Sequence, residues 1–277
     1  MVIRKWFSHP VIVTGIAINL FILLLAVAWS GPNDAVQLQR LLVEDGIVEW
    51  MQFLCFAMTS GLLAFAAIER WQRSKFDFIV FALLGMSAVV ALAALEEISW
   101  FQRILHVQTP EFFQQNNRQA ETNLHNIAIG SKGSIHKTIL LKLIVLVGLT
   151  HNLILPLVAR SRPAVRNWVE KMGVYLPPLP AAVIYLVLII LSHLLISHER
   201  KGELGEMFGA VHYMATIFAA YFAGLGYGQS TVFENPAEAR RGSKLFAVLM
   251  VFLLLCAWLL SAGAGADVMM AAPGGAE

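Results

Sequence analysis

Hydrophobic residues fall along this chain in seven long runs, roughly 10–30, 47–68, 77–96, 138–158, 177–197, 207–228 and 243–262, and the charged residues gather between them. Each run approaches the ~20 residues that an α-helix needs to cross about 30 Å of hydrocarbon. Strand-like alternation is absent, and lipid offers no partners to free backbone groups, so helices are the expected form. The pattern predicts an all-α fold, a polytopic transmembrane helix bundle of about seven spans that forms one domain over residues 1–262. Residues 263–277, rich in Gly and Ala, are expected to be a disordered tail. Arg4, Lys5 and the small residues Ala26-Val27-Ala28 imitate a secretory signal, but the run from Pro10 to Trp29 is long enough to span, which favours a retained first helix.

One connection, about 97–137, is much longer than the others. In Thr109-Pro110-Glu111 a capping Thr, a Pro at the first helical position and an acid in the first turn predict a short helix, and Gly130, Gly133 and Ser134 mark its end. The expectation is a helical cap over the outer mouth of the bundle.

Composition sharpens this picture. The chain is 58% hydrophobic and 14% charged, with mean hydropathy +0.67, more apolar surface than a soluble core of this size absorbs. A net charge of +2 with dispersed Lys and Arg excludes a nucleic-acid footprint. Cys55 and Cys256 sit alone in apolar runs, so neither a disulfide framework nor a CxxC site can be drawn. No internal repeat supports an inverted-repeat transporter. With the N-terminus in the cytoplasm, 12 of the 20 basic residues fall in short inner segments, as the positive-inside rule expects. The acids sort the other way, with only five of 18 inside.

Four outer stretches carry polar residues at helical spacing: Asp45, Glu49 and Gln52; Glu96, Trp100 and Arg103; Arg118, Glu121 and His125; and Glu199, Glu203 and Glu206. Taken alone, Glu96 with Arg103 or Glu121 with Arg118 is an ordinary helix-surface ion pair. A charge drawn into the bilayer costs at least roughly 2.5–3.5 kcal/mol, so Glu49, Glu96, Glu97 and Glu206 need partners or a wet cavity. Glu121, His125, Glu203 and His198 form a donor set suited to a divalent metal such as Zn²⁺ or Fe²⁺, although no HExxH accompanies them. His151, Asn152 and Lys142 in the fourth run either extend a proton path inward or bond to neighbouring helices. Gly205 with Gly209, and Gly224 with Gly228, are expected to let the sixth helix pack closely.

The segment Glu96-Glu97-Ile98-Ser99-Trp100-Phe101-Gln102-Arg103, then Thr109-Pro110-Glu111 and Glu121-Thr122-Asn123-Leu124-His125-Asn126, resembles an uncharacterised family of bacterial multi-pass membrane proteins, and Glu44-Asp45-Gly46 with Glu49 is similar to that family's earlier acidic element. The likeness covers roughly residues 40–130. It implies a bacterial inner membrane protein and carries no activity over. The HxxxH element of alkaline-ceramidase-like hydrolases is absent.

Three functions compete. In a membrane enzyme acting on a lipid or lipid-linked substrate, Glu96, Glu97, Glu121 and Glu206 would be the catalytic carboxylates, and Arg103, Arg118, Trp100 and Asn123 would bind substrate. A proton- or cation-coupled transporter would use the acidic mouth and a track inward. A scaffold subunit would use the cap to hold a partner. Beyond the bilayer itself, a lipid substrate is the expected partner.

Overall fold

The computed structural model describes residues 6, 8–31, 34–73, 76–130 and 133–263. The predicted tail lies outside them from residue 264 onward, as do Arg4 and Lys5. The chain is an all-α membrane protein, with strand confined among the described residues to one two-residue hairpin.

Five helices are long and apolar enough to cross a bilayer: Pro10–Ala28, Ala35–Arg73, Phe78–Glu97, Thr138–Ser161 and Pro236–Ala262. This differs from the seven expected. Leu179–Leu195 is apolar but shorter. The run at 207–228 is displaced toward the N-terminus, as a helix over Gly202–Ile217 that continues to Phe222, because Glu203 and Glu206 are helical and Gly224 ends it.

In chain order the helices are α1 (Pro10–Ala28), α2 (Ala35–Leu42), α3 (Ile47–Arg73), α4 (Phe78–Glu97), the short α5 (Gln102–Leu105) and α6 (Glu111–Asn116). After β1 (Ala128–Ile129) and β2 (Gly133–Ser134) comes α7, built from His136–Leu140, Leu141–Leu149, Thr150–Ile154 and Leu155–Ser161. Then follow α8 (Pro163–Lys171), α9 (Leu179–Leu195), α10 (Gly202–Ile217, extended by Phe218–Phe222) and α11 (Pro236–Gly263).

Local chemistry sets the ends. Pro10 and Pro163 occupy first helical positions, where a missing N–H costs nothing. Asp77 caps α4 by accepting from Val80 N at 3.0 Å, and Asn235 Oδ1 accepts from Ala237 N at 2.9 Å at the start of α11. Pro156 inside α7 cannot donate to Asn152, and the helix answers by widening to π geometry over Thr150–Ile154, the turn just before the proline. Gly224 adopts φ +71 and closes α10, its own N–H donating to Ala220 O and that of Leu225 to Ala219 O. Gly224 and Gly228 therefore belong to a loop and not to a helix seam.

At the centre stands α10. From Met207 to Phe222 every residue except Tyr213 is buried, with α1, α3, α9 and α11 around it. Gly15 admits the α1 backbone against Ala215, and Gly209 leaves room for the Tyr185 hydroxyl; a methyl group at either would come within 3.1 and 2.9 Å of its neighbour. Phe218 stacks on Phe246 at 4.1 Å. Outward faces of α4 and α11 expose Phe81, Val89, Val248 and Leu259, a distribution that only lipid makes favourable.

α7 departs from this pattern. Only 6% of its apolar window is buried, and residues 141–147, two full turns, are exposed on every face. It is tied to α10 above and below that stretch, by His136 Nε2 to Glu206 at 3.1 Å and by Asn152 to Tyr213 OH at 2.6 Å and His212 at 2.9 Å.

Candidate functional site

The cap is less helical than its spacing predicts. Asn117 and Asn123 turn their side chains onto nearby backbone, including the Asn126 N–H, and Asn117 bonds Asn123 directly; this local competition disfavours helix, so Arg118, Glu121 and His125 lie on turns and not on one helical face. Helix α6 does begin at Glu111, but the Thr109 hydroxyl bonds Gln102 instead of capping it.

The stripe Glu96, Trp100, Arg103 is also interrupted. α4 ends at Glu97, and Ser99, Trp100 and Phe101 all take left-handed conformations, φ 47, 57 and 61. Asp45, His106 and Ala120 are the other described non-glycine residues with positive φ, and all six lie in the cap or its floor. Backbone strain of this kind persists only where surrounding structure over-determines it, and it gathers at functional sites.

What holds the reversal is Arg103. Its guanidinium donates to both oxygens of Asp45 at 2.8 and 3.0 Å, to Glu121 at 2.6 Å and to Glu49 at 3.4 Å. Burial alone would make this arginine easier to deprotonate; the carboxylates of Glu49, Glu121 and Asp45 outweigh it and raise its pKa further above its ordinary value. Asn123 donates to Ser99 Oγ at 2.9 Å, and Ser99 bonds the second oxygen of Glu121. Glu96 serves as a second anchor. It accepts from Trp100 Nε1 at 2.8 Å, from the backbone of Leu124 and His125 at 2.7 and 3.0 Å, and meets His125 Nδ1 at 3.2 Å.

Beside these anchors further carboxyl groups gather in a half-buried crevice. Glu97 of α4 interacts with Glu206, Glu203 and Glu49, with Gln52 next to it. Gln52 Nε2 reaches Glu206 at 3.4 Å, while its buried Oε1 has no partner. His136 completes the group through Glu206, and its ring lies 6.0 Å from that of His125. Arg200 is occupied by Glu44 at 2.5 Å, which raises its pKa despite burial. Met207 and Phe208, which follow Glu206 in α10, are both fully buried.

The structure thus brings Glu97, Glu203 and Glu206 together and places Glu96, Glu121, Arg103 and Asn123 in the clamp beside them. Trp100 is part of that clamp and partly exposed. Arg118 points away, donating to Gly133 O at 2.7 Å on the surface. The four residues expected to share a metal do not converge: Glu121 holds Arg103, His125 holds Glu96, and His198 bonds Gln39 at 2.7 Å, away from Glu203. Among the described residues no group of three or more His, Cys, Asp or Glu is arranged to hold an ion. Four of the five N–H groups of Arg103 are taken by carboxylates, so two-pronged phosphate capture there lacks a free pair of donors.

His136 was missed because it lies at no helical spacing from an acidic residue. Asp45, Glu49 and Gln52 were legible as a stripe, and all three face the site. Compared with protein-family models, curated proteins and solved structures, the chain matches none of them.

Proposed function

We propose that the chain is a membrane-embedded enzyme that carries out acid–base chemistry on a lipid or lipid-linked substrate at the outer face of a bacterial inner membrane. In this reading its N-terminus is cytoplasmic, and α9 and α10 cross with the other five helices to complete seven spans. Glu97 and Glu206 are the proton-transferring groups, His136 the partner that tunes Glu206, and the Arg103 clamp the element that positions the cap.

The observation that carries this reading is the grouping of Glu97, Glu203 and Glu206 with His136 where α7 stands off from the bundle. Carboxyl groups gathered beside an unpacked apolar stretch suit a lipid reactant. Proton exchange between closely placed carboxyls and an imidazole is the chemistry such a group provides.

A second reading, proton-coupled transport, has its own support. Past Phe208 a buried polar layer joins His212, Asn152 and Tyr213 on one side to Thr216 and Tyr175 on the other, the latter pair at 2.7 Å. The test uses the full chain in vesicles of mixed glycerophospholipids, with the lipids analysed by mass spectrometry and internal pH followed by a trapped dye. Wild type is expected to alter a lipid, and Glu97→Gln and Glu206→Gln to abolish that change. Unaltered lipids together with Glu97-dependent proton entry would establish the transport reading instead.

A further inference from the structure

Resting on the reading of the crevice as a lipid-facing site, we infer that the space between α7 and α10 binds one phospholipid whose headgroup bears a primary amine, drawn from the outer leaflet. The ammonium would lie against Glu203, Glu206 and Gln52, the phosphate near Lys142, and the acyl chains along residues 141–147.

Three observations converge on that occupant. The first is the gap itself. Two turns of α7 are exposed all round while its ends are fastened to α10, so a packed helix contact is replaced by an open slot. The exposed stretch includes Leu143, Val145 and Leu146, which suit acyl chains. The second is the acceptor surplus at its upper end. Glu97, Glu203 and Glu206 share one imidazole and the Arg200 guanidinium that Glu44 already holds, and Gln52, only 1% exposed, has an oxygen that nothing in the protein satisfies. A ligand with several N–H donors and a positive charge complements this; an anionic headgroup is repelled. The third is Lys142. It stands on the exposed stretch with no hydrogen-bond or ion-pair partner among the described residues. An ammonium at that depth requires an anion, which the phosphate of a zwitterionic lipid supplies.

The experiment measures retained lipid by native mass spectrometry after the full chain has been stripped of lipid and offered phosphatidylethanolamine, phosphatidylcholine or phosphatidylglycerol singly. One ethanolamine lipid per chain is expected, held about tenfold more tightly than either alternative, the difference made by one charge-assisted hydrogen bond. Lys142→Gln and Glu206→Gln should each weaken it about tenfold by the same argument. Leu146→Trp, at an exposed position where it disturbs no packing, should block the slot by bulk. Glu97→Gln should keep the lipid while losing any conversion, so binding can fail or survive independently of catalysis. Equal retention of the ethanolamine and choline lipids, or retention unaffected by Leu146→Trp, would overturn the inference.

Discussion

Replacing Arg103 with Gln removes one cation from among three carboxylates. The side chains of Arg103, Asp45, Glu49 and Glu121 are only 16%, 9%, 18% and 10% exposed, so little water is available to take over. Removing one partner of a buried ion pair costs roughly 3–5 kcal/mol. An independent route gives the same size. A carboxylate left uncompensated can escape by taking a proton, and at pH 7 this costs about 4 kcal/mol for a group of ordinary pKa, at ~1.4 kcal/mol per pH unit. The two figures agree, so Arg103→Gln should destabilise the protein by about 4 kcal/mol at pH 7. Lowering the pH to 5 cheapens protonation by about 2.7 kcal/mol and should recover most of the loss. The wild type lacks this dependence on the arginine: a base whose folded pKa is raised contributes fully below its unfolded pKa, and Arg103 stays charged throughout this range. Thermal unfolding in detergent, followed by tryptophan fluorescence at pH 7 and pH 5, measures the effect, with Arg103→Lys as an intermediate that keeps charge but not the fork. A loss under about 1 kcal/mol at pH 7, the size of an exposed pair, with no recovery at pH 5 would refute the clamp.

Three further outcomes are expected. Asp77→Ala should cost about 1 kcal/mol through the lost cap of α4, and Asp77→Asn far less, as read by thermal unfolding. The hydrogen bonds from Arg70 hold the Asp77 carboxyl below its ordinary pKa, so its charge contributes stability above the unfolded value and loses it as pH falls through the folded one; an acid titration of wild type against Asp77→Asn shows this. Phe208→Ala should cost roughly 3–5 kcal/mol and leave a void in the core, checked by unfolding and by xenon uptake. Gly173→Ala places a methyl group 2.8 Å from Ile79 Cγ2 at φ +79 and should cost about 2–4 kcal/mol, and less in a chain that also carries Ile79→Ala, which removes Cγ1 and Cγ2.

The spans were legible because hydrocarbon imposes length and continuity on a helix, and α1, α3, α4 and α11 follow the apolar runs closely. α10 was harder to place. Its acids reduce local hydropathy, yet the helix takes them in because neighbouring elements, and not lipid, surround it. In the cap, spacing misled. Arg118, Glu121 and His125 read as a helical face, but a nearby set of asparagines satisfies backbone groups locally and the chain turns instead. Glu96 and Arg103 were correctly singled out as important polar residues, although spacing paired them with each other. In the structure Arg103 serves Asp45, 58 residues earlier, and Glu96 serves the backbone at 124 and 125. Such long-range partners leave no periodic trace.

The left-handed run at Ser99–Phe101 gives the cap a latent alternative. Each such residue is disfavoured by roughly 1–2 kcal/mol, and the same sequence carries Glu96, Trp100 and Arg103 at the spacing of an uninterrupted helix. With the guanidinium released, α4 would be free to gain a turn and carry Trp100 with it. The arginine and the three acids that grip it thus set where that helix stops.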